Sequence, residues 1–368
     1  MNEDIKYLIA LTQIEGVGSI LARRLIEELG SAKAVFQGAP EDVAYVDRLP
    51  KKVFARIKKA KEAFEKAEEQ IGFCDRKDIE IIPITSKRYP YRLKNTPDAP
   101  LVLYFKGSAE MNPNKVISVV GTRRATNYGK DQARALIQEL ADEDLQVVSG
   151  LALGIDGIAH QTSVDLDIPT IGVLGHGLDV LYPAAHRNMA ARMIENGGLL
   201  TEFPINTIPE KENFPKRNRI IAGMGDATIV VESRISGGSM ITADIAVSYG
   251  RDIGAFPGRA TDFCSEGTNE LIRSNKAFLM TSANDLRQQM GWEPDRKIPE
   301  DRSSKRVFNE LEGMELTVAN LIQENGRLTI DRMAQVLDKP VQEITVAVTS
   351  MEIMGIVRRL PGNLITLP

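Results

Sequence analysis

The chain has 368 residues, of which 43% are hydrophobic, and its formal net charge is -4. This length exceeds what one hydrophobic core usually fills, so we expect two or three domains. The negative net charge excludes a protein whose whole surface is basic, so any polyanion must bind at a local basic patch. The two cysteines, Cys74 and Cys264, indicate neither a disulfide framework nor a zinc cluster, and no apolar run approaches the roughly 18 residues of a membrane span. We therefore expect a soluble cytoplasmic protein without a metal site.

Residues 1–75 are predicted to form a helical domain, since apolar positions recur at three- and four-residue spacing in DIKYLIALTQI and SILARRLIEEL. The turn Gly16-Val17-Gly18 between them would face backbone amides of the second helix outward, a geometry suited to phosphate oxygens. The stretch GVGSILARRLIEELGS resembles a helix-hairpin-helix motif, whose members often bind DNA backbones without reading the sequence. A module that only packs against the rest of the chain is the alternative, and the sequence leaves both open.

Residues 76–289 are predicted to form an α/β domain. Two β-like runs broken by proline, IEIIPIT and APLVLYFKG, come first and are expected to extend the sheet that follows. Apolar β-branched runs then alternate with amphipathic helices, and this rhythm predicts βαβ units with a parallel sheet. The predicted strands of this part are VISVVG, QVVSG, TIGVLG, GLLTEF, ATIVVES, DIGAFPG and AFLM.

The last part of the chain is predicted to be a linker, residues 290–308, and a separate domain, residues 309–368. That domain suggests three helices followed by a β-hairpin, which is the order of a winged helix. Its candidate recognition helix, VQEITVAVTSMEIM, contains no lysine or arginine and is poorly suited to a phosphate-lined groove. We expect protein contacts or regulation from it, with at most minor DNA binding through Arg358 and Arg359.

The first strand-to-helix turn of the predicted sheet carries two arginines, in the sequence Gly121, Thr122, Arg123 and Arg124. Open parallel sheets bind ligands at the carboxyl ends of their strands, and a guanidinium takes two phosphate oxygens at once, so this turn indicates phosphate binding. A solvated arginine pair beside a structural glycine is the alternative. The turn departs from G-x-G-x-x-G, and the chain has no G-x-x-x-x-G-K-[ST] loop, so we expect neither a dinucleotide cofactor nor a Walker-type ATPase.

Further glycine-rich turns follow other predicted strands. ESRISGGSMITA places glycines at the start of a helix, and PGRATDFCSEGTNELI repeats the pattern, which is typical of an anion-binding nest. The candidate phosphate nest consists of Gly237, Gly238, Ser239, Ser265 and Gly267.

The same loops carry groups that other proteins use for catalysis. Asp156, Asp179 and Glu232 have the chemistry of general acids and bases. The three histidines of the chain lie on different loops without the spacing of metal ligands, so we expect no catalytic or metal role for them. Glu232 beside the GGS turn is the residue that keeps an enzymatic interpretation open.

Residues 213–223, NFPKRNRIIAG, put an aromatic ring and three cations in one turn. Because Pro215 biases its predecessor toward an extended conformation and itself suits a first helical turn, we expect Phe214 to lie exposed just before a helix. Such a ring suits single-stranded nucleic acid, whose bases stack on it while the phosphates bind the cations. The alternative is that the ring packs against the start of the helix as a hydrophobic staple and that the cations form a solvated surface. The candidate DNA-binding residues here are Lys211, Phe214, Lys216, Arg217, Asn218 and Arg219.

Seven stretches carry a family resemblance: VVGTRRATNYG, SGLALGIDGIAH, VLGHGLDVLYP, GLLTEFP, FPKRNRIIAGMGDATIVVES, SGGSMITADIAVSYGRDIGAFPG and SEGTNELI. They resemble the DNA processing protein A (DprA/Smf) family, in unbroken order over roughly residues 80–285. The resemblance implies an extended Rossmann fold that binds single-stranded DNA, dimerises and helps to load the RecA recombinase, with no known chemical reaction. It also implies an N-terminal domain of the helix-hairpin-helix or SAM-like type and a C-terminal winged helix. Carried over to this chain, the family's G-[ST]-R turn is Gly121, Thr122 and Arg123, and its DNA contacts are Lys211, Phe214 and Arg217.

We therefore expect a nonenzymatic, homodimeric protein that protects incoming single-stranded DNA and loads RecA during natural transformation or homologous recombination. The alternative is a nucleotide-binding or nucleotide-hydrolysing enzyme of the lysine-decarboxylase-like Rossmann type. In that type a PGGxGT-like loop holds a nucleotide phosphate, whereas this chain has SGGSMIT. A sequence-specific regulator acting through the winged helix is disfavoured, because the candidate recognition helix lacks cations.

Overall fold

The computed structural model describes residues 3–38, 51–292 and 311–367 of the chain. Most of the predicted linker, from residue 293 to residue 308, lies outside the described residues. Within the described ranges no helix is long and apolar enough to cross a membrane. Three groups of elements follow one another: an N-terminal helical unit, a central unit built on a large sheet, and a small C-terminal unit.

The helices of the N-terminal unit pack on one edge of the large sheet. Their apolar side chains, among them Ile9 and Leu25, share one hydrophobic cluster with Leu101, Val102 and Tyr104 of the central unit. Burial of this shared surface, at about 25 cal/mol per Å² of apolar area, holds the helices against the sheet. Within residues 3–38 and 51–77 the helices of this unit are α1 (Glu3–Thr12), α2 (Ser19–Leu29), α3 (Ala32–Gln37), α4 (Lys51–Lys58) and α5 (Lys61–Lys77).

The central unit contains a nine-stranded sheet in the order β1-β2-β6-β5-β4-β3-β7-β8-β9. The strands from β6 to β9 in this order pair in parallel, whereas β1 and β2 pair antiparallel at one edge. The α/β class, the parallel sheet and its extension by the two proline-broken runs are thus confirmed. The strands are β1 (Glu80–Pro83), β2 (Val102–Gly107), β3 (Lys115–Val120), β4 (Leu145–Ser149), β5 (Thr170–Val173), β6 (Gly198–Thr201), β7 (Ala227–Val230), β8 (Asp252–Ala255) and β9 (Phe278–Leu279).

Helices cover both faces of this sheet, and its central strands are therefore buried along their whole length. Ile220 and Ala243 lie in the hydrophobic cluster of one face, and Leu136, Ala159 and Leu286 lie in the cluster of the other. The helices are α6 (Tyr91–Lys94), α7 (Asn127–Glu139), α8 (Ile155–Asp165), α9 (Arg187–Asn196), α10 (Asn213–Met224), α11 (Gly238–Ser248), α12 (Glu266–Arg273) and α13 (Ala283–Met290).

The strand order reverses at β3, which pairs with β4 on one side and with β7 on the other. The chain runs outward from β3 through β4 and β5 to β6, and it then returns to β7 to continue in the opposite direction. Such a switch point opens a crevice at the carboxyl ends of the strands. The turns that follow β3, β4 and β7 therefore meet at one place.

The C-terminal unit has a hydrophobic cluster of its own and a three-stranded antiparallel sheet in the order β10-β12-β11. The three predicted helices and the hairpin are present, and a short strand, β10, precedes the second helix. Membership of the winged-helix class stays a prediction. The elements are α14 (Gly313–Asn325), β10 (Leu328–Thr329), α15 (Ile330–Leu337), α16 (Val341–Ile353), β11 (Arg358–Leu360) and β12 (Leu364–Thr366).

A buried ion pair joins the amino ends of two central strands to the segment before β2. Arg92 donates to both carboxylate oxygens of Asp226, at 2.6 and 3.0 Å, and also to the carbonyl oxygens of Pro113 and Asn114. Asp226 in turn accepts from the Val116 amide at 2.9 Å. Since Arg92 is only 3% exposed, this pair and its added hydrogen bonds fix the start of β3 against the start of β7.

Candidate nucleic-acid interface

The arginine-bearing turn after β3 is held by contacts on both sides. The Thr122 amide donates to the Glu232 carbonyl at 2.8 Å, and the Thr122 carbonyl accepts from Ile155 at 3.2 Å. Gly154 caps α8 with a φ of +81°, and a Cβ placed there would lie 2.2 Å from the Thr122 carbonyl oxygen. Only glycine allows this close approach. The turn is therefore rigid, while Arg123 and Arg124 themselves extend into solvent.

Glu232, which kept an enzymatic interpretation open, serves to cap a helix. Its side chain is 1% exposed, and its carboxylate accepts from the Thr126 amide at 3.0 Å and from the Thr126 hydroxyl. Thr126 is the residue that precedes α7 and whose own hydroxyl accepts from the Gly129 amide. The buried carboxylate thus ties the end of β7 to the start of α7.

Arg217 is buried below the surface of the candidate site. The prediction placed it among cations that contact DNA, but its side chain is 4% exposed. Its guanidinium donates to the carbonyl oxygens of Gly150 and of Val173, the latter at 2.6 Å. Because a Cβ on Gly150 would lie 2.1 Å from this guanidinium, glycine is needed there. Arg217 therefore binds the carboxyl ends of β4 and β5 together with the first turn of α10.

Asp156 supplies the opposite charge for this buried arginine. Burial lowers the pKa of Arg217 to about 10, and the field of Asp156 opposes that change. Burial also raises the pKa of Asp156, while Arg217 and the amide of Gly150, 3.1 Å from the carboxylate, act against that increase. The guanidinium stays charged at neutral pH.

Phe214 lies inside the first turn of α10, not before it as predicted, and it is half-buried, not exposed. The helix begins at Asn213 because Pro215 is tolerated in a first turn, where amides need no intrahelical acceptor. The guanidinium of Arg123 lies 5.1 Å from the centre of the Phe214 ring, and that of Arg217 lies at 5.8 Å. The ring is thus held between the turn after β3 and the buried arginine.

Two open depressions meet at Arg123. The first, which we call the aromatic cleft, has a volume of about 60 Å³ and is lined by Phe214, Tyr182 and Leu153 as well as Arg123. Tyr182 and Leu153 are 47% and 49% exposed, and the Tyr182 ring centre lies 6.3 Å from that of Phe214. The second, which we call the basic groove, has a volume of about 610 Å³. Its polar lining includes Arg123, Arg124, Lys130, Gln161 and His186.

The remaining predicted cations separate into two groups. Lys211 and Lys216 are exposed on and before α10. Arg219 forms an ion pair with Glu202 and donates to the Asp98 carbonyl, in a depression that Lys216 also lines. Asn218 donates to the carbonyl of Gly238, the first residue of α11, at 3.4 Å. The sequence left open whether Asn218 and Arg219 line a groove or fix the turn. Their contacts with protein groups favour the second role, in which they fix the turn.

The candidate phosphate nest is only partly available. Ser265 is 2% exposed, and the Gly267 amide donates to the Ser233 carbonyl at 2.8 Å, so neither is free to take a phosphate. The buried Ser239 hydroxyl donates to the Ser233 hydroxyl at 2.8 Å. These residues join the loops after β7 and β8. The Gly237 amide donates to the Arg234 carbonyl at 2.9 Å, so of the five residues Gly238 remains, at the start of α11, where a Cβ would meet open space.

The sequence did not single out Tyr182 or Lys130, although both line the site. Tyr182 follows the glycine-rich turn after β5, so its position beyond a strand end was a usable signal. Lys130 lies one helical turn inside α7, and only the packing of that helix beside α8 brings it to the basic groove.

No group of three metal-ligating side chains, histidines included, forms among the residues that the structure describes. His160 is fully buried and its two ring nitrogens lie 2.7 Å from the Thr170 hydroxyl and 3.4 Å from the Leu151 amide. Burial lowers the pKa of His160 to about 3.

We predict that His160 makes the protein less stable as the pH falls from about 6.5 toward 3. In this range the unfolded chain binds a proton at this residue and the folded chain does not, so the free energy of unfolding decreases by about 1.4 kcal/mol per pH unit. Urea unfolding of wild type and of His160→Gln at several pH values measures the difference. Parallel pH profiles for the two proteins would contradict the prediction.

Comparison with known proteins gives a family and several relatives. The family model described as DNA recombination-mediator protein A matches residues 80–291. The chain is 34% identical over 297 residues to Protein Smf of Escherichia coli strain K12, which covers 78% of this chain and 77% of that protein. It is 39% identical over 221 residues to DNA processing protein DprA of Bacillus subtilis strain 168, which covers 60% of this chain and 73% of that protein.

Two solved structures share the fold. The X-ray structure of DNA processing protein A from Streptococcus pneumoniae superimposes with a TM-score of 0.64 and 30% identity, covering 76% of this chain and 96% of that one. DNA processing protein A from Helicobacter pylori, in a structure that concerns its single-stranded DNA binding mode, gives a TM-score of 0.52 and 28% identity. That match covers 56% of this chain and 93% of the other.

Proposed function

We propose that this chain, which belongs to the DNA recombination-mediator protein A family, binds single-stranded DNA along the aromatic cleft and the basic groove. One observation carries the proposal: the ring of Phe214 is held beside the exposed Arg123 at the switch point of the sheet. The Helicobacter pylori relative, which has a single-stranded DNA binding mode, supports the same ligand.

The chemistry of the cleft suits unpaired bases. An aromatic face gives about 1–3 kcal/mol per stacked base whatever the base, so Phe214 and Tyr182 provide affinity without sequence preference. The bases of a duplex are stacked on one another and offer no such face. A single strand therefore gains both the stacking and the phosphate contacts, whereas a duplex gains only the latter.

The proposed phosphate contacts come from two parts of the chain. Arg123 and Arg124 come from the turn that Gly121 and Thr122 shape, and Lys130 extends the groove along α7. Lys211 and Lys216, which are exposed before and on α10, are the further proposed contacts. Arg217, Asn218 and Arg219 act by holding α10 in place.

The first test compares a labelled poly-dT strand with its duplex by fluorescence anisotropy at several salt concentrations. We expect the single strand to bind more tightly. Arg123→Ala should flatten the log-log salt slope by about 0.7, because one phosphate contact is lost. Phe214→Ala should weaken binding by about 1–3 kcal/mol and leave the slope nearly unchanged, because stacking releases no counterions.

Two controls define the outcome. Phe214→Tyr keeps an aromatic face and should bind like the wild type. Arg273→Ala removes an exposed arginine that pairs with Glu270 on its own helix and should change nothing. Equal affinity for duplex and single strand, or an unchanged affinity in Phe214→Ala, would reject the cleft as the binding site.

We also propose that the bound strand is protected and transferred to the RecA recombinase, and that the protein performs no chemical reaction on it; the description of the family as a recombination mediator supports a role in recombination. RecA activity is measured as DNA-dependent ATP hydrolysis on a strand coated with single-strand binding protein. The wild type should shorten the lag before hydrolysis begins, and Phe214→Ala should lose most of that effect. If both proteins shorten the lag equally, loading does not proceed through the cleft.

A homodimer through the C-terminal half of the central unit completes the proposal. The exposed fractions of three apolar side chains there, Ile235, Ile241 and Phe263, are 60%, 44% and 58%. The Arg234 guanidinium lies 4.6 Å from the Phe263 ring centre, so the loop after β7 adjoins the loop after β8. Exposed apolar patches of this kind mark protein contacts. Light scattering should show a dimer for the wild type and a monomer for Phe263→Asp. Dimers in both proteins would place the contact elsewhere.

A further inference from the structure

The basic groove differs from the aromatic cleft in what its walls offer to a strand. The two depressions share Arg123 and no other lining residue among those that the structure describes. The cleft contains the rings of Phe214 and Tyr182, whereas no aromatic side chain lines the groove in the described part of the chain. A strand that continued through the groove would place its bases where no ring stacks on them. The groove therefore suits a phosphate that is not followed by further bases.

Three cations line the groove without a counter-ion. They are Arg123, Arg124 and Lys130, and the lining contains no aspartate or glutamate within the described ranges. None of the three forms an ion pair with another described residue. The carboxylate that follows Lys130 in the chain, that of Asp131, pairs with Arg134 at 3.3 Å. The groove thus has a net positive charge that attracts an anion.

The first turn of α8 adds backbone donors to these cations. Gly154 precedes the helix without a side-chain cap, and both Gly154 and Gly157 line the groove. Amides of a first helical turn have no intrahelical acceptor and attract negative charge. The acidic residue of this turn, Asp156, is 6% exposed and interacts with the buried Arg217, so it does not oppose an anion in the groove lining.

His186 distinguishes one kind of phosphate from another. It lines the groove, and its Nδ1 lies 2.9 Å from the Leu151 carbonyl oxygen, so Nδ1 carries the proton and donates. Nε2 is left without a hydrogen-bond partner among the described residues. A phosphate monoester has a second pKa of about 6 and shares a proton with such a nitrogen near neutral pH. A phosphodiester inside a strand has no proton to share.

We propose that the basic groove binds the phosphorylated terminal nucleotide of a single strand whose adjoining bases occupy the aromatic cleft. This inference rests on the proposed DNA binding and adds the chemistry of the strand end to it. A terminal phosphate has a charge of about -1.5 to -2, against a single negative charge for an internal one, and so matches a cluster of three cations better. The groove, at about 610 Å³, lies within the roughly 300–1,000 Å³ typical of small-molecule sites and has room for one nucleotide.

The test is fluorescence anisotropy of the full chain with a short oligo-dT prepared with a 5′-phosphate, with a 3′-phosphate, or with hydroxyls at both ends. The fluorophore is attached to an internal thymine, so that both ends stay free. We expect a phosphorylated form to bind about tenfold more tightly than the hydroxyl form at low salt, because it gains charge-assisted hydrogen bonds. The form with the advantage shows which end of the strand lies in the groove.

Variants separate the groove from the cleft. Arg124→Ala, Lys130→Ala and His186→Gln should each lower the ratio of the two affinities, because each removes a group that contacts the terminal phosphate. Phe214→Ala should weaken both forms by the same factor and leave the ratio unchanged, because the ring stacks on a base in either form. Arg273→Ala, which removes an exposed arginine outside the groove lining, is the matched control and should alter neither affinity.

The inference is overturned if the phosphorylated and hydroxyl forms bind equally, or if the ratio is unchanged in both Arg124→Ala and Lys130→Ala. An advantage at both ends that is lost in these variants supports recognition of the phosphate monoester itself. Circular dichroism shows that the variants are folded. If the hydroxyl form binds no better than its duplex, the proposed single-strand binding fails instead, so the two failures are distinguishable.

Discussion

The buried guanidinium of Arg217 is the interaction on which the arrangement of the candidate DNA site depends. A charge removed from water costs several kcal/mol unless it is paired and hydrogen-bonded, so the strand ends and Asp156 must be in place around it. The carbonyl oxygens that it binds belong to the ends of β4 and β5, and the arginine itself belongs to α10. Satisfying this one side chain therefore fixes a helix against two strands. Phe214, three residues earlier on the same helix, is positioned as a consequence.

Sheet topology supplies the other half of the site. Because the strand order reverses at β3, the turns after β3, β4 and β7 converge, and residues far apart in the chain become neighbours. Glu232 at the end of β7 holds both the turn after β3 and the start of α7. The exposed side chain of Arg123 thus projects from a rigid turn. A nucleobase that stacks on Phe214 and a phosphate that binds Arg123 need little rearrangement of the protein, which reduces the entropic cost of binding.

Charge is distributed unevenly over a molecule whose net charge is -4. Exposed cations gather around Arg123 at the carboxyl ends of the central strands, whereas the arginines at the amino ends lie among aspartates. At each end the cations come from more than one element, so neither cluster exists before the chain has folded. Other arginines have a structural role. In the buried pair of Arg92 with Asp226, for example, the arginine joins strands and does not face a ligand.

The sequence by itself determined the family, the α/β class and the order of strands and helices, because long apolar periodicities and extended motifs are local features of the chain. The family resemblance is confirmed over residues 80–291. The sequence also identified the turn at Arg123 and the segment at Phe214 as one candidate site. Only the tertiary structure decided which cations face solvent: Arg217 and Arg219 look like their neighbours in the sequence, yet one is buried and the other pairs with Glu202. Exposure depends on which elements pack on a residue, and that information is not contained in any local pattern.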